Sequence, residues 1–103
     1  MRIHIVCGAG ASSTFVALRL RRSAAARGVA AQVTAGSESD LANVLPVIDV
    51  LLVGPHLEAL FARIQQQAAA AGVQASLMST TVFTARDGEE ALDLVLVMAG
   101  TRS

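Results

Sequence analysis

"IHIVCGAGASSTFVALRL", residues 3–20, changes its pattern twice within eighteen positions. Ile3 to Val6 is a short β-branched run of the kind that pairs in a sheet. Gly8 and Gly10 then break it, and Ser12, Ser13 and Thr14 follow. From Thr14 the apolar positions Val16, Leu20 and Ala24 recur at helical spacing, and the run ends at Gly28, a residue suited to the left-handed position after a helix. The stretch therefore predicts a strand, a glycine and hydroxyl loop, and a helix over about 14–27.

The same phrase recurs along the chain. Further apolar runs span Ala31 to Thr34, Ile48 to Val53 and Val73 to Met78. A short helical segment is expected near Asp40 to Leu45, between Ser39 as a cap and Pro46. Leu57, Leu60, Phe61, Ile64, Ala68 and Ala71 form a helical stripe that Gly72 ends. Asp87 opens a last helix, with Glu90 placed to reach back to it and Ala91, Leu92, Val95, Leu96 and Ala99 as its apolar face.

Strands with near-continuous apolar runs alternating with helices predict an α/β fold, with a parallel sheet buried on both sides. Right-handed crossovers leave few arrangements. The expected one is a single-domain, doubly wound four-stranded parallel sheet of order 2-1-3-4, with helices on both faces and a phosphate-binding loop (P-loop) after strand 1. Ligands of such sheets bind beyond the carboxyl ends of strands 1 and 3, and Cys7 stands at the end of strand 1.

Composition narrows the function. The 103 residues suffice for one core, so residues 1–103 are read as one domain. Eight basic and eight acidic side chains give zero net charge, so no nucleic-acid partner is expected. The opening apolar run is too short for a signal peptide or a membrane span, and a cytoplasmic location is expected. One cysteine can form neither an internal disulfide nor a cysteine-rich metal site, so no metal and no cofactor are expected. Cys7 is either a small buried hydrophobe or a reactive thiol.

Its surroundings favour reactivity. Backbone N–H groups from Gly8 through Ala9, Gly10, Ala11, Ser12 and Ser13 to Thr14 lead into a helix start, where unpaired donors and the helix dipole favour an anion. The same field stabilises a thiolate. Three anion chemistries do not fit. The dinucleotide fingerprint lacks its third glycine, which Ser13 replaces. A Walker loop needs lysine, and the chain has none. A phosphorelay receiver needs carboxylates where strand 3 ends in Val53, Gly54 and Pro55.

A low-molecular-weight cysteine phosphatase or an arsenate-reductase-like enzyme also carries cysteine at the end of strand 1. Such a phosphatase places arginine six positions after the cysteine, where this chain has Ser13. The bidentate clamp for a transition-state phosphoryl group is missing, and no Asp-Pro loop offers an acid for the leaving group. Transfer from a phosphohistidine is less demanding, because imidazole is a good leaving group. A non-catalytic anion-binding or redox-sensing domain is a third alternative.

The run I-H-I-V-C-G-A-G-A-S-S-T-F-V resembles the start of the cytoplasmic IIB components of the bacterial sugar phosphotransferase system, lactose/cellobiose (chitobiose) class. Cys7, Gly10, Ser12 and Thr14 fall on that class's Cys-x-x-Gly-x-Ser-x-Ser/Thr pattern. V-L-L-V-G-P-H-L-E-A-L-F, residues 50–61, resembles its strand 3, Gly-Pro-Gln turn and apolar helix, with His56 where glutamine is usual. The resemblance spans nearly the whole chain and includes the fold of low-molecular-weight tyrosine phosphatases. It implies that Cys7 takes phosphate from a phosphohistidine of a IIA component and passes it to a sugar bound by a membrane IIC transporter. The protein would then be a protein-phosphohistidine–sugar phosphotransferase, held at the inner face of the membrane through IIC. Because the sheet accounts for the apolar faces of the helices, a monomer is expected.

Two further side chains are candidates for the site. His56, after Pro55, and Arg86, in the loop before the last helix, could approach a phosphate. His4 is expected to pack under a helix. Arg19, Arg21, Arg22 and Arg27 are read as a solvated basic face, with docking to an acidic partner as the alternative.

Overall fold

The strand read from Ile3 to Val6 extends one residue further each way, as β1, Arg2–Cys7, with a parallel neighbour on either side. The computed structural model describes residues 1–7, 11–81 and 87–100, with the side chains of 7, 11–13, 99 and 100 outside that description. After β1 come α1 (Ala11–Ala26), β2 (Gln32–Ser37) and a short helical passage: a 3-10 turn Glu38–Asp40, α2 (Leu41–Val44) and a second 3-10 turn Leu45–Val47. Then follow β3 (Val50–Val53), a 3-10 segment Pro55–Leu60, α3 (Phe61–Ala70), β4 (Gln74–Leu77) and α4 (Glu89–Gly100). The sheet has the order β2-β1-β3-β4 and is parallel throughout, as expected.

Alternation along the central strands divides the core in two. Ile3 and Ile5 of β1, with Val50 and Leu52 of β3, meet Val16, Ala17 and Leu20 of α1 and Leu92 and Val95 of α4. Val6 of β1, with Leu51 and Val53 of β3, faces Leu41, Leu57, Ile64 and Ala68 on the other side. Every residue of β3 is buried, which is why its sequence reads VLLV without a polar break.

Both α1 and α3 stop where glycine was expected to stop them. Gly28 (φ 70°) and Gly72 (φ 75°) adopt the left-handed conformation. At Gly28 the Val29 N–H donates to the Ala24 carbonyl at 2.8 Å and the Gly28 N–H to that of Ala25 at 3.2 Å. The same pair of bonds recurs at Gly72, so the last carbonyls of both helices are satisfied by the turn itself.

Several sequence expectations need correction. Strand 2 runs to Ser37, three residues beyond Thr34, through alanine and glycine that carry little strand preference of their own. Helix 1 starts at Ala11 and not at Thr14. The third helix begins as the 3-10 segment Pro55–Leu60 with a kink at Leu57 (φ −102°, ψ 19°), and only from Phe61 is it an α-helix. Ser39 lies inside the first 3-10 turn and caps no helix, and Ser37, at the N-cap of that turn, makes no side-chain cap bond. The basic run of α1 is not simply solvated. Arg21 donates to the Val33 carbonyl, and Arg27 bridges Glu89 (3.1 Å) and Asp93 (2.7 Å) on α4.

Gly88 joins α1 to α4. Its N–H donates to the Ser23 hydroxyl at 3.1 Å, in a buried contact. A Cβ at this position would lie 2.6 Å from the Arg19 carbonyl oxygen and 2.7 Å from the Leu20 Cα, both backbone atoms that cannot swing aside. Asp87 Oδ1 accepts from the Glu89 N–H at 3.1 Å and shapes the same turn. Replacing Ser23 by alanine leaves the Gly88 N–H buried without an acceptor and should cost about 1–3 kcal/mol. Gly88→Ala must push two backbones apart and should cost at least as much as that, about 3 kcal/mol. Urea midpoints of the two variants, with unchanged slopes, check the ranking.

Candidate functional site at the carboxyl end of the sheet

Cys7 is the last residue of β1, and its backbone is paired in register with Ser37 of β2. On the other side Val6 pairs with Val53, and the Gly54 N–H donates to the Val6 carbonyl at 2.8 Å. The turn after β3 therefore leaves the sheet at the level of Cys7. Pro55 starts the 3-10 segment there, and His56, its second residue, is exposed. The carboxyl ends of three adjacent strands thus gather Cys7, Ser37 and the segment Gly54 to His56.

The helix that follows Cys7 starts only four residues later, at Ala11, and its first turn contains no acidic side chain. The positive end of its dipole is therefore not offset by a carboxylate within that turn. Of the residues expected to bind phosphate, Ala11, Ser12, Ser13 and Thr14 form the first turn of α1. Thr14 is exposed. Gly8, Ala9, Gly10 and Arg86 lie outside the described residues, as does the Cys7 side chain.

Ser37 was missed in the sequence, because strand 2 was ended too early. Its hydroxyl lies 2.8 Å from that of Ser39. No sequence signal marked it: β1 pairs six residues with β2, Arg2 to Cys7, but only four with β3, Ile3 to Val6.

His4 lies three residues before Cys7 and on the face opposite α1. It is 3% exposed, and its Nδ1 meets the Thr34 hydroxyl at 2.6 Å. Its Nε2 has no partner among the described residues. Burial lowers its pKa below the ordinary 6.5, with the Asp40 carboxylate pulling the other way. The folded protein thus holds a neutral imidazole, whereas the unfolded chain takes up a proton below about pH 6.5. Stability should fall as pH is lowered from about 6.5 toward the folded-state pKa, then level off for this group. Urea titrations between pH 7.5 and about 4.5 should show that slope reduced in His4→Leu.

Among the described residues, no three of His, Cys, Asp and Glu come together as a metal site would require. No helix among them is long and apolar enough to cross a membrane.

Comparison with known proteins gives the following. The family described as "PTS system, Lactose/Cellobiose specific IIB subunit" matches residues 2–94. The lactose-specific IIB domain of the phosphoenolpyruvate:carbohydrate phosphotransferase system from Streptococcus pneumoniae superposes with a TM-score of 0.86. It is 16% identical, over 94% of this chain and 95% of that one. The cellobiose-specific phosphotransferase IIB component from Borrelia burgdorferi superposes with a TM-score of 0.80. It is 26% identical, over 100% of this chain and 94% of that one. No curated protein sequence matches.

Proposed function

Because the chain belongs to the lactose/cellobiose-specific IIB family of the sugar phosphotransferase system, we propose that Cys7 is its phosphorylated residue. The observation that carries this reading is the position of Cys7 as the last residue of the central strand, four residues before a helix whose first turn is free of acidic side chains.

In the first step the Cys7 thiolate attacks the phosphorus of a phosphohistidine on a IIA component. An S–P bond forms as the N–P bond breaks, and the imidazole leaves as the stable neutral ring once protonated. In the second step a hydroxyl of a sugar held by the membrane IIC component attacks the same phosphorus. The O–P bond forms, the S–P bond breaks and the thiolate is regenerated, the hydroxyl proton passing to a base of the acceptor side. Amides of residues 8–14 would surround the three phosphoryl oxygens in both steps, and their fixed dipoles stabilise the added charge without reorganising.

Gly8 and Gly10 would allow such a backbone to curl inward, and Ala9 and Ala11 would leave it small where a partner approaches. Ser12, Ser13 and Thr14 add hydroxyl donors. His56 and Arg86 are accessory candidates for the phosphoryl oxygens, His56 from the turn after β3. The chain works in the cytoplasm, alone as a monomer, and reaches the membrane through IIC. Ser13, where a phosphatase would carry arginine, suits a phosphocysteine that persists until an acceptor docks, instead of one that water removes quickly.

Incubation with a phosphorylated IIA donor of this class tests the reading. Wild type should gain one phosphoryl group on the peptide carrying Cys7, with the phosphorus resonance of an S–P bond, and Cys7→Ser should gain none. His56→Ala should still be phosphorylated, more slowly. Phosphate on another residue, or none in the wild type with an active donor, would overturn it.

A further inference from the structure

A cavity among the described residues opens on the face of the sheet opposite α1. It is about 540 Å³ in volume and lies over the β1–β2 side of the sheet, roofed by the short helical passage between β2 and β3. In that passage α2 is only four residues long, with a 3-10 turn on either side, so it covers less of the sheet than a full helix would.

Two polar groups converge inside. The unpartnered Nε2 of His4, on a side chain 97% buried, lies 3.4 Å from where a Cβ would stand on Gly36. Asp40 Oδ2 lies 3.7 Å from the same point. The absence of a side chain at Gly36 therefore keeps open the space between an imidazole nitrogen and a carboxylate. The proton on His4 can also be assigned. The Thr34 hydroxyl lies 2.6 Å from Nδ1 and 3.5 Å from the Ile3 carbonyl, and the Asp40 carboxylate on the other side of the ring favours the tautomer with its proton on Nε2. Thr34 thus donates to Nδ1, and Nε2–H is a donor facing an acceptor across the gap.

We propose that this cavity binds a small neutral aliphatic molecule through a hydroxyl group, which accepts from His4 Nε2–H and donates to the Asp40 carboxylate. A hydroxyl is the smallest group that completes both bonds at once. Asp40 disfavours an anionic head, and the inward-pointing N–H of His4 disfavours a cationic one. Arg2 also lines the cavity, from the start of β1, and is paired with Asp49, its Nε 3.7 Å from Oδ2. Val44, Val47 and Ile48 give the body of the ligand an apolar wall, while Asn43 and Gln32 can meet further hydroxyls at the rim. A lone water would satisfy the imidazole but leave Val47 54% exposed, whereas an aliphatic ring would cover it.

The inference is independent of phosphoryl transfer, because the test uses the unphosphorylated full chain and no partner. Trans-cyclohexane-1,2-diol serves as the neutral probe and cyclohexanecarboxylate as the charged one, followed by NMR. The diol should shift the amides of Gly36, Asp40 and Asn43, the Val47 methyls and the His4 Nε2–H saturably. Gly36→Ala, whose methyl makes only ordinary contacts in the folded protein, should weaken that binding by at least about tenfold by filling the head-group space. No saturable shift in the wild type, equal affinity in Gly36→Ala, or tighter binding of the carboxylate would each overturn the proposal.

Discussion

Everything in this fold depends on β1 being hydrogen-bonded on both sides. A strand in that position must bury both faces, so it spends Ile3 and Ile5 on one core and Val6 on the other. It also cannot end gradually. Its partners Ser37 and Gly54 hold it to the level of Cys7, and only there is the backbone released. α1 begins four residues after Cys7, and a helix start beyond the carboxyl end of such a strand is where an anion is most stable in a fold of this kind. The position of the thiol is thus a consequence of sheet order, and sheet order follows from which strands are apolar on both faces.

The two faces of β1 are treated differently by the elements that cover them. On one side α1 and α4 are full helices, pinned through Gly88 and Ser23 and clasped at the surface by Arg27 with Glu89 and Asp93. The exposed ion pairs are screened by solvent and add little. The close backbone approach at Gly88 contributes more, because it sets how near the helices lie. On the other side the passage between β2 and β3 is short, and its incomplete cover leaves His4 buried but half satisfied. The first face fixes the C-terminal half of α1 against α4, and the second leaves room beside the same strand.

Much of this was legible in the residues, and the reasons are specific. VLLV at 50–53 and the glycines at 28 and 72 have one physical reading each: a strand with no solvent face, and helix ends that need a positive φ. The order 2-1-3-4 was expected because right-handed crossovers leave few arrangements, of which this is the commonest doubly wound one. What escaped were features set by neighbours instead of by local preference. Ala35 and Gly36 are poor strand formers, drawn into β2 by pairing with Ile5 and Val6. The kink at Leu57 keeps a helical stripe while changing the helix type. Gly88 reads as part of a cap, yet its need for glycine comes from Arg19 and Leu20, far away in sequence. In the site, strand end, helix start and cysteine could be read from spacing, while the nearness of Ser37 could not. His4 was expected to be packed beneath a helix, but no periodicity could say that its second nitrogen would be left without a partner.

The central claim is that backbone amides at the start of α1 hold the phosphoryl group on Cys7. It is tested most directly by amide NMR of the chain before and after phosphorylation by its donor. The account predicts that the largest downfield amide-proton shifts fall within residues 8–14, with scalar coupling to phosphorus across the new hydrogen bonds. Phosphorylation that leaves those amides unmoved, with the largest shifts elsewhere on the sheet, would contradict it.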